Sequence, residues 1–145
     1  MSATGLDVFD KTIQTTNIWL DEIMQDMGPD RQVAWHTLGA VLRTLRDRLP
    51  PGLAAHLGAQ LPLLVRGTFY DQYEPAATTE KLRELDPFLE QIAEELKFTR
   101  PVNVRDALQV VCNVLARHVD KGQIDKVWQA LPADIRQVAT AKLDS

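Results

Sequence analysis

Two leucine–proline breaks, Leu61-Pro62 and Leu131-Pro132, stand 70 residues apart in a chain of 145. Proline removes a backbone donor and fixes φ, so each break forces one helix to end and another to begin. At the same offset Gly52 meets Gly122 and Arg66 meets Arg136. Leu38, Val41 and Leu45 fall on Leu108, Val111 and Leu115, while Leu49, Leu57 and Val65 fall on Val119, Val127 and Ile135. Breaks and glycines answer to backbone geometry, so their recurrence in register with the apolar residues predicts two copies of one unit. Ahead of this block Phe9 and Ile13 match Phe88 and Ile92 at an offset of 79. The expected unit is a long helix, a second long helix, and two short ones divided by Leu-Pro. Copies over about 5–74 and 78–143 are each marginal for an independent core. The expectation is therefore a single domain, residues 1–145, closed about a pseudo-twofold axis. Solenoid repeats are shorter and more numerous.

Helical periodicity runs through both halves. Phe9, Ile13, Trp19, Leu20 and Ile23 form a stripe that ends at Gly28-Pro29. Trp35, Leu38, Leu42, Leu45 and Leu49 follow at spacings of three and four, stopped by Pro50-Pro51-Gly52. Short helices are expected over Leu53–Gln60 and from Pro62 through Val65, then a connector over Thr68–Thr79. Leu82, Leu85, Phe88, Leu89, Ile92 and Leu96 resume the pattern, with Asp86 as the expected cap before Pro87. Asn103 is expected to cap a helix carrying Val104, Leu108, Val111, Leu115 and Val119. Lys121-Gly122 reads as a turn, Ile124–Leu131 as one more short helix, and Pro132 as the start of the last. No segment alternates with a period of two, so the predicted class is all-α: a compact helical bundle of two tandem four-helix pseudo-repeats.

One stretch carries a resemblance. Ala40-Val41-Leu42-Arg43-Thr44-Leu45-Arg46-Asp47-Arg48-Leu49, Leu53-Ala54-Ala55-His56-Leu57, Gln60-Leu61-Pro62 and Arg66-Gly67-Thr68-Phe69-Tyr70-Asp71 resemble the bacterial domain of unknown function twenty-two sixty-seven family. The resemblance extends over nearly the whole chain and is most specific in residues 38–71. It implies an all-helical, duplicated, bacterial cytoplasmic protein, and it implies no activity.

Charge narrows the partners. Sixteen Lys and Arg against twenty Asp and Glu leave a net charge of -4. Residues 1–30 carry -5, 31–66 carry +4, 67–99 carry -5 and 100–145 carry +2. An acidic whole argues against phosphate backbones as the main partner, because that binding needs clustered cations. Alternating blocks fit helices that neutralise one another. The longest uncharged apolar stretch, Leu49–Val65, holds three prolines and is shorter than the ~20 residues a membrane span needs. The N-terminus has no basic run followed by an apolar one, so a cytoplasmic location is expected.

Two clusters are candidates for chemistry. Arg66, Phe69, Tyr70, Asp71 and Tyr73 put a guanidinium, a carboxylate and three rings within eight residues, suited to a pocket or an interface anchor. The structural alternative has Phe69 and Tyr70 plugging the core while Arg66 and Asp71 form an ion pair or cap. The recurrence of Arg66 as Arg136 favours that alternative. Arg43, Arg46 and Arg48 form a basic patch in which 43 and 46 share a helix face and 48 points elsewhere. It could hold an acidic face such as Glu90, Glu94 and Glu95, or grip a nucleic acid. No aromatic residues are interleaved with it for base stacking.

No catalytic residue, metal site or cofactor is expected. The chain has no phosphate loop, nucleophile elbow or His-Glu-x-x-His helix. His36, His56 and His118 lie far apart, and Cys112 sits among Val110, Val111, Val114 and Leu115 as a core thiol. The expected function is a small non-enzymatic interaction or regulatory module that offers a helical groove to a protein or small apolar ligand. The alternatives are an enzyme with a pocket at Arg66, Tyr70 and Asp71, or a weak nucleic-acid binder using Arg43 and Arg46. The oligomeric state does not follow from the sequence.

Overall fold

The structure, a computed structural model, describes residues 2–76 and 83–143. Among them are eight helices and no strand: α1 Asp7–Met27, α2 Arg31–Arg48, α3 Pro51–Ala59, α4 Leu63–Tyr70, α5 Leu85–Glu95, α6 Val104–His118, α7 Lys121–Ala130 and α8 Ala133–Thr140. Local chemistry sets most boundaries. The Asp30 carboxylate accepts from Val33 N at 3.1 Å at the start of α2. The Asn103 side chain accepts from Asp106 N at 3.0 Å for α6, and Asp120 accepts from Gln123 N at 3.2 Å for α7. Each carboxylate or amide oxygen fills one of the orphan donors of a first turn. Pro50, Pro62 and Pro132 occupy the same capping position for α3, α4 and α8, with no side-chain bond to give. Gly28 ends α1 at φ 102°, with its N–H on Met24 O at 3.0 Å.

Helices α2 and α6 pack on each other at the centre, and α1, α4, α5, α7 and α8 each pack on one or both of them. Helix α1 lies on α2, α6 and α4; α5 lies on α2, α6 and α8; α4 packs on α2, α8 on α6, and α3 on α7. Eleven of the eighteen residues of α2 are buried, including Arg46, which fits a helix enclosed on most sides rather than one lying on a surface. One cluster of buried side chains draws on all eight helices, with Trp19, Phe69 and Phe88 the largest. Cys112 is fully buried in it, and loss of water pushes its thiol well above the ordinary range, leaving no thiolate for chemistry.

Five expectations need correction. Phe9 and Ile13 are 46% and 40% exposed, whereas Phe88 and Ile92 are fully buried. Thr12 and Thr16 are the buried residues on that half of α1 while Phe9 and Ile13 stay exposed, so the match at offset 79 does not extend to burial. Lys121-Gly122 is the first turn of α7 rather than a turn between helices, because Asp120 caps there and lets the helix begin earlier. Gly52 is likewise inside α3, since Pro51 suits a first helical position. Thr68, Phe69 and Tyr70 belong to α4, not to a connector. Helix α5 begins at Leu85 with Glu84 as its N-cap, two residues earlier than a cap at Asp86 would put it. Leu82 lies outside the described residues.

The contact between α3 and α4 depends on one missing side chain. A Cβ on Gly58 would stand 2.4 Å from the Tyr70 hydroxyl and 2.7 Å from its ring carbon. Nothing closes that gap without moving the ring. Gly58→Ala is expected to lower unfolding free energy by about 1–3 kcal/mol in urea titrations. In a double-mutant cycle with Tyr70→Ala most of that loss should vanish, since the ring it displaces is gone.

Candidate functional site

A helix of eight residues finishes on carbonyls that have no partner of their own and that carry the negative end of its dipole. Helix α4 meets this problem with two arginines of α2. The Arg46 guanidinium donates to Phe69 O at 2.9 Å and to Asp71 O at 2.7 Å. Its Nε donates to Asp47 Oδ1 at 2.9 Å, and its carbon lies 4.8 Å from the centre of the Tyr73 ring. Only 5% of the side chain is exposed, so a full charge is buried and matched by carbonyls, a carboxylate and a ring face. One turn back, Arg43 donates to Thr68 Oγ1 at 2.6 Å and Thr68 O at 3.3 Å, and pairs through Nε with Glu95 of α5 at 2.6 Å. Gly39 leaves the room: a Cβ there would sit 2.8 Å from the Arg43 guanidinium and 2.9 Å from the Thr68 hydroxyl.

The two candidate clusters are therefore one structure. Arg43 and Arg46 share a face, as their spacing requires, and that face reads the end of α4 rather than solvent. Of the acidic residues expected opposite them, Glu95 takes Arg43, while Glu94 pairs with Lys97 at 2.5 Å. Arg48, the last residue of α2, is half-buried and also engaged. Phe69 is fully buried, and Tyr70 meets it edge-on with ring centroids 5.0 Å apart. Asp71 is exposed, and its contribution is the carbonyl that Arg46 holds.

No ion pair joins Arg66 to Asp71; of the two structural roles expected, ion pair or cap, Arg66 takes the cap. Arg66 donates to Gly58 O at 2.9 Å, Ala59 O at 3.2 Å and Leu61 O at 3.0 Å, closing the end of α3. Arg136 does the same for α7, donating to Trp128 O at 2.9 Å, Gln129 O at 3.5 Å and Leu131 O at 2.7 Å. A guanidinium is planar and rich in donors, so it can collect several carbonyls at once where lysine offers a point charge. At the end of α8 the donors are amides: Asn113 and Gln109 of α6 donate to Ala141 O at 3.0 and 3.2 Å.

Sequence reading missed one polar link. Glu22 of α1 meets both Arg117 and His118 at the end of α6, with His118 Nε2 at 2.6 Å, and the imidazole stacks on Trp19 at 5.2 Å. These partners lie more than ninety positions apart, and nothing local signals their meeting. Among the described residues no group of three His, Cys, Asp or Glu is arranged to hold a metal ion. No helix among them is long and apolar enough to cross a membrane.

Two hollows flank the first half of α1. One, of about 400 Å³, lies against Ala59–Leu63 and Arg66, with Val8, Lys11 and Thr15 on the α1 side. Tyr70 and Asp71 are not in its lining, so the proposed trio does not share it. The other, of about 320 Å³, lies between α1, the start of α2 and Leu64. Leu64 N donates to the Thr12 hydroxyl at 3.2 Å between the two.

Removing Arg46 takes the donor from the buried Phe69 carbonyl and from the part-buried Asp71 carbonyl. Arg46→Met is expected to cost about 2–4 kcal/mol of stability by denaturant titration, although Met keeps the stem. Tyr73 supplies a pH signature. Burial raises its phenol above the ordinary value of 10.0, with Asp47 and Tyr70 adding to the rise and Arg46 opposing it. The folded state thus holds this proton more tightly than the unfolded one. The associated stability is full below pH 10.0 and is lost as pH climbs through the raised value. Absorbance titration at alkaline pH should resolve Tyr73 as the later component, and Tyr73→Phe should remove it.

No curated protein matches the chain. A family model, that of the uncharacterized conserved proteins designated DUF2267, matches residues 16–138. That span includes α2 through α7, the arginine caps of α3, α4 and α7, and most of α1 and α8; the chain belongs to the DUF2267 family.

Proposed function

We propose that the chain is a non-enzymatic interaction module, a single domain made by duplicating a four-helix unit over about 5–74 and 78–143. The helix packing supports the duplication. If α1–α4 are exchanged in order for α5–α8, the main contacts map onto one another: α1 on α6 becomes α5 on α2, α2 on α4 becomes α6 on α8, and α2 on α6 and α3 on α7 return to themselves. The matched caps at Arg66 and Arg136, and the carbonyls of Asp71 and Ala141 each held from a central helix, support it further. A cytoplasmic location in a bacterium is part of the same reading, in keeping with the one buried thiol of Cys112.

The observation that carries the interaction role is where the apolar surface lies. Leu6, Val8, Phe9, Ile13, Leu63 and Leu64 are each at least 40% exposed, and they gather on the first half of α1 and the start of α4. Clustered exposed apolar side chains mark binding surfaces more often than scattered ones do. Arg66 is held by three carbonyls, and Arg43 and Arg46 by the end of α4. The enzyme and nucleic-acid alternatives therefore draw on side chains already committed to the fold.

The test is native mass spectrometry on the protein isolated gently from its own host. A bound mass is expected with the wild type and with Phe98→Glu, whose parent residue is exposed in the loop after α5. Val8→Glu/Leu63→Glu should lose it while keeping the helical signal. Recovery of the unmodified free mass alone from the wild type would end this reading.

A further inference from the structure

The hollow between α1, α2 and α4 differs from its neighbour in what lines it. Its walls are Ile13 and Leu20 of α1, Trp35 of α2 and Leu64 of α4. Ile13 and Leu64 remain 40% and 45% exposed, so the apolar wall is open to an incoming group. The only charged residue of the lining is Arg31, at the first position of α2, and the amide oxygen of Asn17 accepts from its guanidinium. Thr16, also in the lining, is 4% exposed, and its hydroxyl has no hydrogen-bond partner. A volume of about 320 Å³ lies at the small-molecule end of binding sites rather than at the scale of a protein interface.

We infer that this hollow binds an anionic amphiphile, an acyl chain ending in a carboxylate, with the chain against Ile13, Leu20, Trp35 and Leu64 and the carboxylate on Arg31. The inference rests on the interaction reading above and names the ligand class for one part of its surface. Charge complementarity selects the class. Helix α1 carries five acidic residues against one lysine, yet the hollow's lining contains no acid and one guanidinium. A neutral chain would place no counter-charge against that guanidinium, and a cationic head would be repelled by it.

Decanoate is the probe, titrated below its micelle concentration against the full chain, with the three indole N–H resonances followed by NMR. A saturable shift centred on Trp35, and not on Trp128, is expected. Decan-1-ol should bind more weakly. Arg31→Gln should weaken decanoate about tenfold, the factor that corresponds to losing one charge-assisted contact, and leave decan-1-ol within about twofold. Equal affinity for decanoate and decan-1-ol would overturn the inference, as would shifts confined to Trp128. Binding of an acidic amphipathic peptide where decanoate fails would overturn it too. If decanoate fails while Val8→Glu/Leu63→Glu still strips the native adduct, the ligand class falls and the interaction reading stands. If neither behaves as expected, both fall.

Discussion

Short helices end on carbonyls they cannot satisfy, and this bundle contains four helices of ten residues or fewer: α3, α4, α7 and α8. Leaving such groups buried and unpaired would cost more than the packing of a short helix returns. The solution at every one of these ends is a side chain that reaches over from outside the helix. Arg66 closes α3, Arg136 closes α7, Arg43 and Arg46 close α4, and Gln109 with Asn113 close α8. The leucine–proline breaks create short helices, and the caps make them tenable. The two features depend on each other.

The same constraint explains where the two halves part company. The end of α4 is held by guanidinia and the end of α8 by carboxamides. The arginine solution brings two positive charges inward and needs Glu95, Asp47 and the Tyr73 ring around them. It also needs Gly39 to be a glycine, because a side chain at that point would collide with the guanidinium. The amide solution needs no counter-charge. A second difference lies at the start of each half: α1 is 21 residues and α5 is 11. Val8, Phe9 and Ile13 lie exposed on the first half of α1. The proposed binding face lies in this asymmetry, where one half has something its partner lacks.

Much of the fold was legible because it rests on local rules. Asn103 was expected as a cap, and it is one; Trp19, Leu20 and Ile23 were expected in the core, and they are buried. The roles of the candidate residues were harder to read. Proximity in sequence leaves open whether Arg66 pairs with Asp71 or caps a helix, and its guanidinium turns back to α3. Arg43 and Arg46 resemble a solvated basic patch in one dimension, and only the position of α4 turns them inward. Phe9 and Ile13 obey the helical period, but periodicity cannot say whether anything lies opposite.

From the order of residues alone came the helical class, the breaks at Pro62 and Pro132, the cap at Asn103, and the family likeness, because each depends on neighbours a few positions apart. Which carbonyls the arginines collect, the meeting of Glu22 with Arg117 and His118, the room that Gly39 and Gly58 leave, and the hollow beside Arg31 were decided only in three dimensions. These involve partners brought together by packing, and a contact between distant residues is a property of the assembled core, carrying no periodic or spacing signal in the chain.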